Sequence, residues 1–169
     1  SHAFTGEYRS SSFSLSTSPL ATHNGEMQRD GWYHITRKRA SLDAPEAIGR
    51  VAAQRALRRL GGRRVKTAEV PVIFDPQMAA SLIRHIAGAA SGPSLYRGAS
   101  FLLNRLGETI AAPSITIVDD GTLPGALGSR PFDGEGLPTQ RTVLVDRGVL
   151  ASYLLDSYSA RKLGLASTH

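Results

Sequence analysis

The sequence predicts an α+β fold, built from antiparallel strands and a few helices. Three observations predict it. Strand-like runs outnumber helix-like runs and do not alternate with them one for one, as a doubly wound parallel sheet requires. Two turn signals, His23-Asn24-Gly25-Glu26 and Asp146-Arg147-Gly148, sit between runs of strand-forming residues, as antiparallel hairpins need. Two helices open with Pro in their first turn and continue with apolar residues three and four apart.

Residues 1–39 read as antiparallel strand material. Phe4, Tyr8, Phe13, Leu15 and Leu20 lie among Ser and Thr, which suits half-buried strands. Met27 to Lys38 carries Trp32, Tyr33, Ile35 and Thr36 and reads as a returning strand, with Trp32 as a core anchor. Asp43-Ala44-Pro45-Glu46 opens a helix: Asp43 can cap, and Glu46 three residues on completes a capping box. The helix is expected to run to about Leu60, with Gly49, Ala52, Ala53, Ala56, Leu57 and Leu60 on one small-residue face, and to stop at Gly61-Gly62. Arg63 to Thr67 connects two units.

Val70-Pro71-Val72-Ile73-Phe74 reads as a short apolar strand. Asp75-Pro76 then caps a second helix, whose expected buried face is Ala79, Leu82, Ile83, Ile86 and Ala90. Ser94 to Leu106 reads as a further short helix and Ile115 to Val118 as a β-branched strand. Asp119 to Gln140 is a long loop with five Gly and three Pro. Such a loop in a compact domain is usually functional or mobile. Arg141–Asp146 and Val149–Leu155 form the clearest hairpin, and Asp156 to Leu163 a short helical turn ending at Gly164.

Composition narrows the function. The chain has 169 residues, 41% apolar and 20% charged, a normal globular balance. No apolar stretch approaches the ~18–20 residues of a membrane span. Ser1 to Ser14 lacks the basic-then-apolar pattern of a signal peptide. With no Cys, disulfides, Cys nucleophiles and Cys-rich zinc sites are excluded within the chain; this is compatible with a cytoplasmic location, the one expected, without requiring it. The net charge is +6, much of it in Arg55, Arg58, Arg59, Arg63, Arg64 and Lys66. That segment reads either as the solvated, dipole-favoured end of a helix or as a patch for nucleic acid or an acidic partner. No aromatic side chains interleave with it, as a single-strand binder requires, so nucleic acid is not the expected partner.

No complete catalytic site is legible. A helical zinc motif needs ligands that point the same way from one helix. The helix from Asp75 has one His, His85, with Ser81 and Ala89 one turn to either side and no Asp or Glu between Pro76 and Gly92. Gly-x-Ser-x-Gly and P-loop patterns are absent. Asp133 and Glu135, two apart in the Gly/Pro loop, could perform acid–base work or fix the loop by accepting backbone N–H bonds. No catalytic, cofactor-binding or metal-binding residue is therefore assigned.

Many ordered segments resemble the TldD/PmbA family. They include Lys66-Thr67 and Val70 to Pro76, Ala80-Ser81-Leu82, Leu95 to Leu102, Pro131 to Gly136, Thr139 to Val145 and Gly148-Val149-Leu150. Tyr153 to Leu165 is similar to the PmbA (TldE) branch, and Met27 to Asp30 with Trp32-Tyr33 extends the likeness upstream. The resemblance implies that residues 1–65 correspond to part of the family's second domain. It implies that 66–169 correspond to the first part of its third, barrel-like domain, with further family sequence beyond both.

The family pairs TldD-type chains, which carry a helical His-Glu-x-x-x-His zinc motif, with PmbA-type chains that lack it. If Gly88 marks the register, Arg84 stands for the first His, His85 for the Glu and Ala89 for the second His, so no metal ligand carries over. The resemblance implies a non-catalytic subunit of a metallopeptidase complex. Its expected partners are a TldD-type zinc peptidase subunit and an extended peptide substrate, with a homodimer when that subunit is missing. Zinc is expected only in the TldD-type partner. Two alternatives are a gyrase- or nucleic-acid-associated binding module, after the family's older label of modulator of DNA gyrase, and a hydrolase using Asp133 and Glu135.

Overall fold

The computed structural model describes residues 4–168, and the fold is α+β with antiparallel sheets. The chain forms two units. One comprises Glu7–Val70 with Gly125–Leu127; the other comprises residues 4–6, 71–124 and 128–168.

In the first unit, β2 (Leu20–His23) and β3 (Glu26–Arg29) form a hairpin with His23 opposite Glu26. Its two turn residues, Asn24 and Gly25, have φ of +48° and +80°. Positive φ at both positions gives the backbone twist that matches flanking strands, and Asn-Gly tolerates it best. Next to this hairpin β1 (Phe13–Thr17) pairs with β4 (Trp32–Thr36), Phe13 opposite Thr36. The ladder breaks between the two pairs at Ser18-Pro19 and Asp30-Gly31. Pro19 has no N–H to donate, and the Gly31 N–H is taken by the Asp30 carboxylate at 2.7 Å.

Side chains alternate along both outer strands. Phe13, Leu15, Trp32, His34 and Thr36 are half-buried, whereas Ser14, Ser16, Tyr33 and Ile35 are exposed. The helix α1 (Pro45–Arg58) packs against these strands and buries Ile48, Ala52 and Ala56, one turn apart. This corrects the expected face: Ala53 and Leu57 are exposed, and Ile48 is fully buried. Arg55 is half-buried on this side too, with its guanidinium carbon 5.3 Å from the centre of the Trp32 ring. The capping box does not form. Ala44 holds the N-cap position, while the Asp43 N–H donates to His34 Nδ1 at 3.0 Å. Phe4 and Tyr8 lie outside any strand.

The second unit opens with α2 (Pro76–Ala89), capped by the Asp75 carboxylate, which accepts the Gln77 N–H at 3.0 Å. Then follow α3 (Gly92–Tyr96), β5 (Ile117–Asp120), β6 (Arg141–Asp146), β7 (Val149–Leu150) and α4 (Ser157–Leu163). The three strands form one antiparallel sheet in the order β5-β6-β7. Its core comprises Leu95, Leu102, Leu144, Val145, Leu150, Tyr153, Leu155 and Ala160, joined by Ala90 from the end of α2.

Four expectations change here. Val70–Phe74 forms no strand, since no neighbouring strand pairs with it, and Ile73 is 98% exposed. β-branched content suits a strand but does not make one without a ladder. The helix expected over Ser94–Leu106 is cut to Gly92–Tyr96, because the chain turns at Gly98 with φ +69° and the Ser100 hydroxyl takes the Leu102 N–H. On α2 only the C-terminal turns pack on the core, through Ile86, Ala87 and Ala89; Leu82 and Ile83 remain exposed. β7 is only two residues long. The N–H groups of Ala151 and Ser152 both turn to the Leu144 carbonyl, which ends the ladder.

Candidate functional site

The helix α2 is the element the sequence singled out for chemistry. It presents one imidazole. His85 is exposed, and its Nδ1 lies 2.9 Å from the Ser81 carbonyl one turn back. A carbonyl only accepts, so Nδ1 carries the proton and a single ring nitrogen, Nε2, is left as a ligand atom. Arg84 beside it is a fixed cation, and Ala89 has no donor atom. Among the described residues no three His, Asp or Glu side chains come together in a way that could hold a metal. The donor set on α2 does not fit a helical zinc site.

The Gly/Pro loop is knitted to itself and to the start of α4. The Asp133 carboxylate accepts the N–H groups of Glu135 and Leu137, both at 2.9 Å, and so closes the acidic turn. Glu135 reaches outward instead and accepts the Ser157 N–H at 2.9 Å, at the start of α4. The two carboxylates therefore serve different anchors, as the loop-fixing alternative requires. Thr139 donates its hydroxyl to the Arg130 carbonyl at 2.5 Å, and the Arg130 N–H bonds the Gly121 carbonyl at 3.1 Å.

These bonds leave an open groove of about 250 Å³ between the loop, the end of β5 and the segment of Leu154, Leu155 and Asp156. Four aspartates are among the residues that line it, Asp119, Asp120, Asp133 and Asp156, together with Arg130 and Gln140. Sequence reasoning named Asp133 but missed the other three. The adjacent pair Asp119-Asp120 at a strand end and the N-cap residue Asp156 were the signals available. The Thr122 hydroxyl, at 2.6 Å, holds the Asp120 carboxyl below the usual range, helped by the Thr122 N–H and by Arg141 and opposed by partial desolvation. A carboxyl depressed in the fold stabilises it above the ordinary aspartate pKa and loses that contribution as pH falls through its folded value. In Thr122→Val the Asp120 pKa, followed by NMR titration, should rise toward the ordinary value. An unchanged titration would remove the hydroxyl as the cause.

The basic segment on the first unit is partly neutralised. Arg55 and Arg59 both face the Asp30 carboxylate, at 3.4 and 3.7 Å. The Gly31 N–H above all, then the two guanidinium groups, keep that carboxyl below its usual range, against some desolvation. Arg58, Arg63, Arg64 and Lys66 are exposed.

Comparison with known proteins places this geometry. The family model of the PmbA/TldA metallopeptidase C-terminal domain matches residues 67–169, and that of the central domain matches residues 1–60. The chain belongs to the PmbA/TldD family. It is 44% identical over 168 residues to metalloprotease PmbA of Escherichia coli O157:H7, covering 99% of this chain and 37% of that protein. It superposes with a TM-score of 0.92 and 34% identity on the crystal structure of a candidate modulator of DNA gyrase from Bacteroides thetaiotaomicron, over 99% of this chain and 38% of that one. TldE from Thermococcus kodakarensis gives a TM-score of 0.78 at 29% identity, over 93% of this chain and 36% of that one. The chain thus spans little more than a third of these PmbA/TldD relatives. No helix among its described residues is long and apolar enough to cross a membrane.

Proposed function

We propose that this chain belongs to a non-catalytic, PmbA-type subunit of a cytoplasmic two-subunit metallopeptidase, whose zinc is held by a TldD-type partner. One observation carries the reading: α2 offers Arg84, a tethered His85 and Ala89 where a zinc helix needs a converging ligand set. The helix keeps its packing turns, Ile86, Ala87 and Ala89, and so persists as scaffold without the ligands.

Such a subunit still contributes to proteolysis. A groove between two chains binds an unfolded peptide by main-chain hydrogen bonds, which give affinity without demanding a sequence. In this reading the loop of 119–140 and the β6–β7 hairpin line it on this side. The test uses the full-length protein, purified alone and with a TldD-type chain, with zinc content and cleavage of an unfolded peptide measured for each. The reading expects well under one zinc per chain and no cleavage alone, and cleavage only with the partner. Stoichiometric zinc in the isolated protein, or cleavage by it, would overturn the proposal.

A further inference from the structure

Four side chains of the second unit form a continuous row that its core does not need. Tyr96 closes α3, and Tyr158 stands in the first turn of α4. The two helices are held close at Gly92, where a Cβ would come within 2.0 Å of the Ser159 hydroxyl. Their neighbours Leu95, Ser159 and Ala160 are buried. The two rings meet edge to face, 5.6 Å apart at 81°, yet stay 37% and 48% exposed. A cation lies beside each ring. The Arg97 guanidinium is 5.8 Å from the Tyr96 centroid, with its Nε–H donated to the Pro93 carbonyl at 2.8 Å. The Lys162 ammonium, one turn after Tyr158, is 5.6 Å from that ring. Among the described residues neither cation has a carboxylate within 4.0 Å.

We propose that the row Arg97, Tyr96, Tyr158 and Lys162 is a docking surface for an acidic segment of another polypeptide, which sets carboxylates on the two cations and an apolar side chain on the tyrosines. Charge complementarity selects the partner: two cations with no carboxylate within 4.0 Å among the described residues flank an exposed apolar patch, while the nearby Glu135 and Asp156 carboxylates are taken up at the start of α4. Tyrosine with arginine is the composition that anchors the centres of protein interfaces. Each cation is already steadied by a ring, and Arg97 also by a carbonyl, so less side-chain freedom is lost on binding.

The dipole of α4 accounts for a cation in its last turn, but not for Arg97 or for the two exposed rings. Single-stranded nucleic acid fits less well. Base stacking needs open ring faces, whereas here one ring presents its edge to the other and a cation sits near each. This inference does not depend on the subunit role proposed above.

The experiment uses full-length protein and a labelled, doubly capped peptide of alternating Glu and Phe, with a Gln/Phe peptide and oligothymidylate as comparisons, followed by fluorescence anisotropy at low and physiological salt. The Glu/Phe peptide should bind, and bind at least about fivefold more tightly than the Gln/Phe peptide, given two ion-pair contacts of modest size. Arg97→Gln and Lys162→Gln should each weaken it about threefold. Tyr158→Ala should weaken it further and Tyr158→Phe should not, since the exposed apolar part of the ring rather than the hydroxyl is used. Absence of peptide binding, equal binding of the two peptides, an unaffected Arg97→Gln/Lys162→Gln double variant, or tighter binding of oligothymidylate would each overturn the proposal.

Discussion

Replacing Gly148 with alanine is expected to destabilise the second unit by about 2–4 kcal/mol, from positive-φ strain and overpacking together. Gly148 is buried in the hairpin turn at φ +86°. A Cβ there would meet the Ala111 carbonyl oxygen at 2.4 Å and that of Ala112 at 3.0 Å. The backbone has little room to yield. The Gly148 N–H bonds the Ile115 carbonyl at 2.8 Å, and its own carbonyl accepts the N–H groups of Ile110 and Ala111. Gly164, the C-cap of α4, is the control. It has φ +68° and open space around its would-be Cβ, so Gly164→Ala should cost only the conformational part, about 1 kcal/mol. Urea midpoints at an unchanged slope would measure both. Equal losses would mean that contact with the 111–112 backbone contributes nothing.

Tyr153→Ala should cost about 3–5 kcal/mol, as truncating a buried aromatic does. Tyr153 lies in the core at 5% exposure. Its hydroxyl donates to the Leu102 carbonyl at 2.6 Å and accepts the Arg105 N–H at 3.2 Å. Tyr153→Phe separates packing from polarity. It keeps the ring and removes one contact from each of two backbone groups that also bond each other at 3.2 Å, so it should cost only about 1 kcal/mol. A Phe variant as stable as the parent would show that the Arg105–Leu102 backbone bond holds the turn without the hydroxyl.

The α+β class, both hairpin turns and the Asp75 cap were legible because each rests on chemistry within a few residues. Asn24-Gly25 and Arg147-Gly148 all adopt positive φ, as the turns require. What the sequence hid depends on distant partners. Val70–Phe74 has strand chemistry but lacks a ladder. The face of α1 depends on partners far away in sequence: Arg55 meets Trp32 of β4 and Asp30 in the β3–β4 connection. At the candidate site, the missing ligands of α2 could be read from spacing alone. The groove could not, because Asp119, Asp120 and Asp156 come to line one groove only once the loop has closed through Asp133 and Thr139.

Trp32 has a further use. It is the only tryptophan in the chain, and it sits in the first unit beneath Arg55. Tyr153 is the one buried tyrosine of the second unit among the described residues. Each unit thus carries its own optical reporter. Indole emission during denaturation follows the strands and α1, while the near-ultraviolet signal of the enclosed phenol follows the sheet and its helices. Coincident curves would mark a single cooperative transition and separate curves two, since agreement between independent probes is the criterion for two-state melting. Gly148→Ala, which strikes only one unit, would then shift the phenol curve and leave the indole curve in place if the two melt independently.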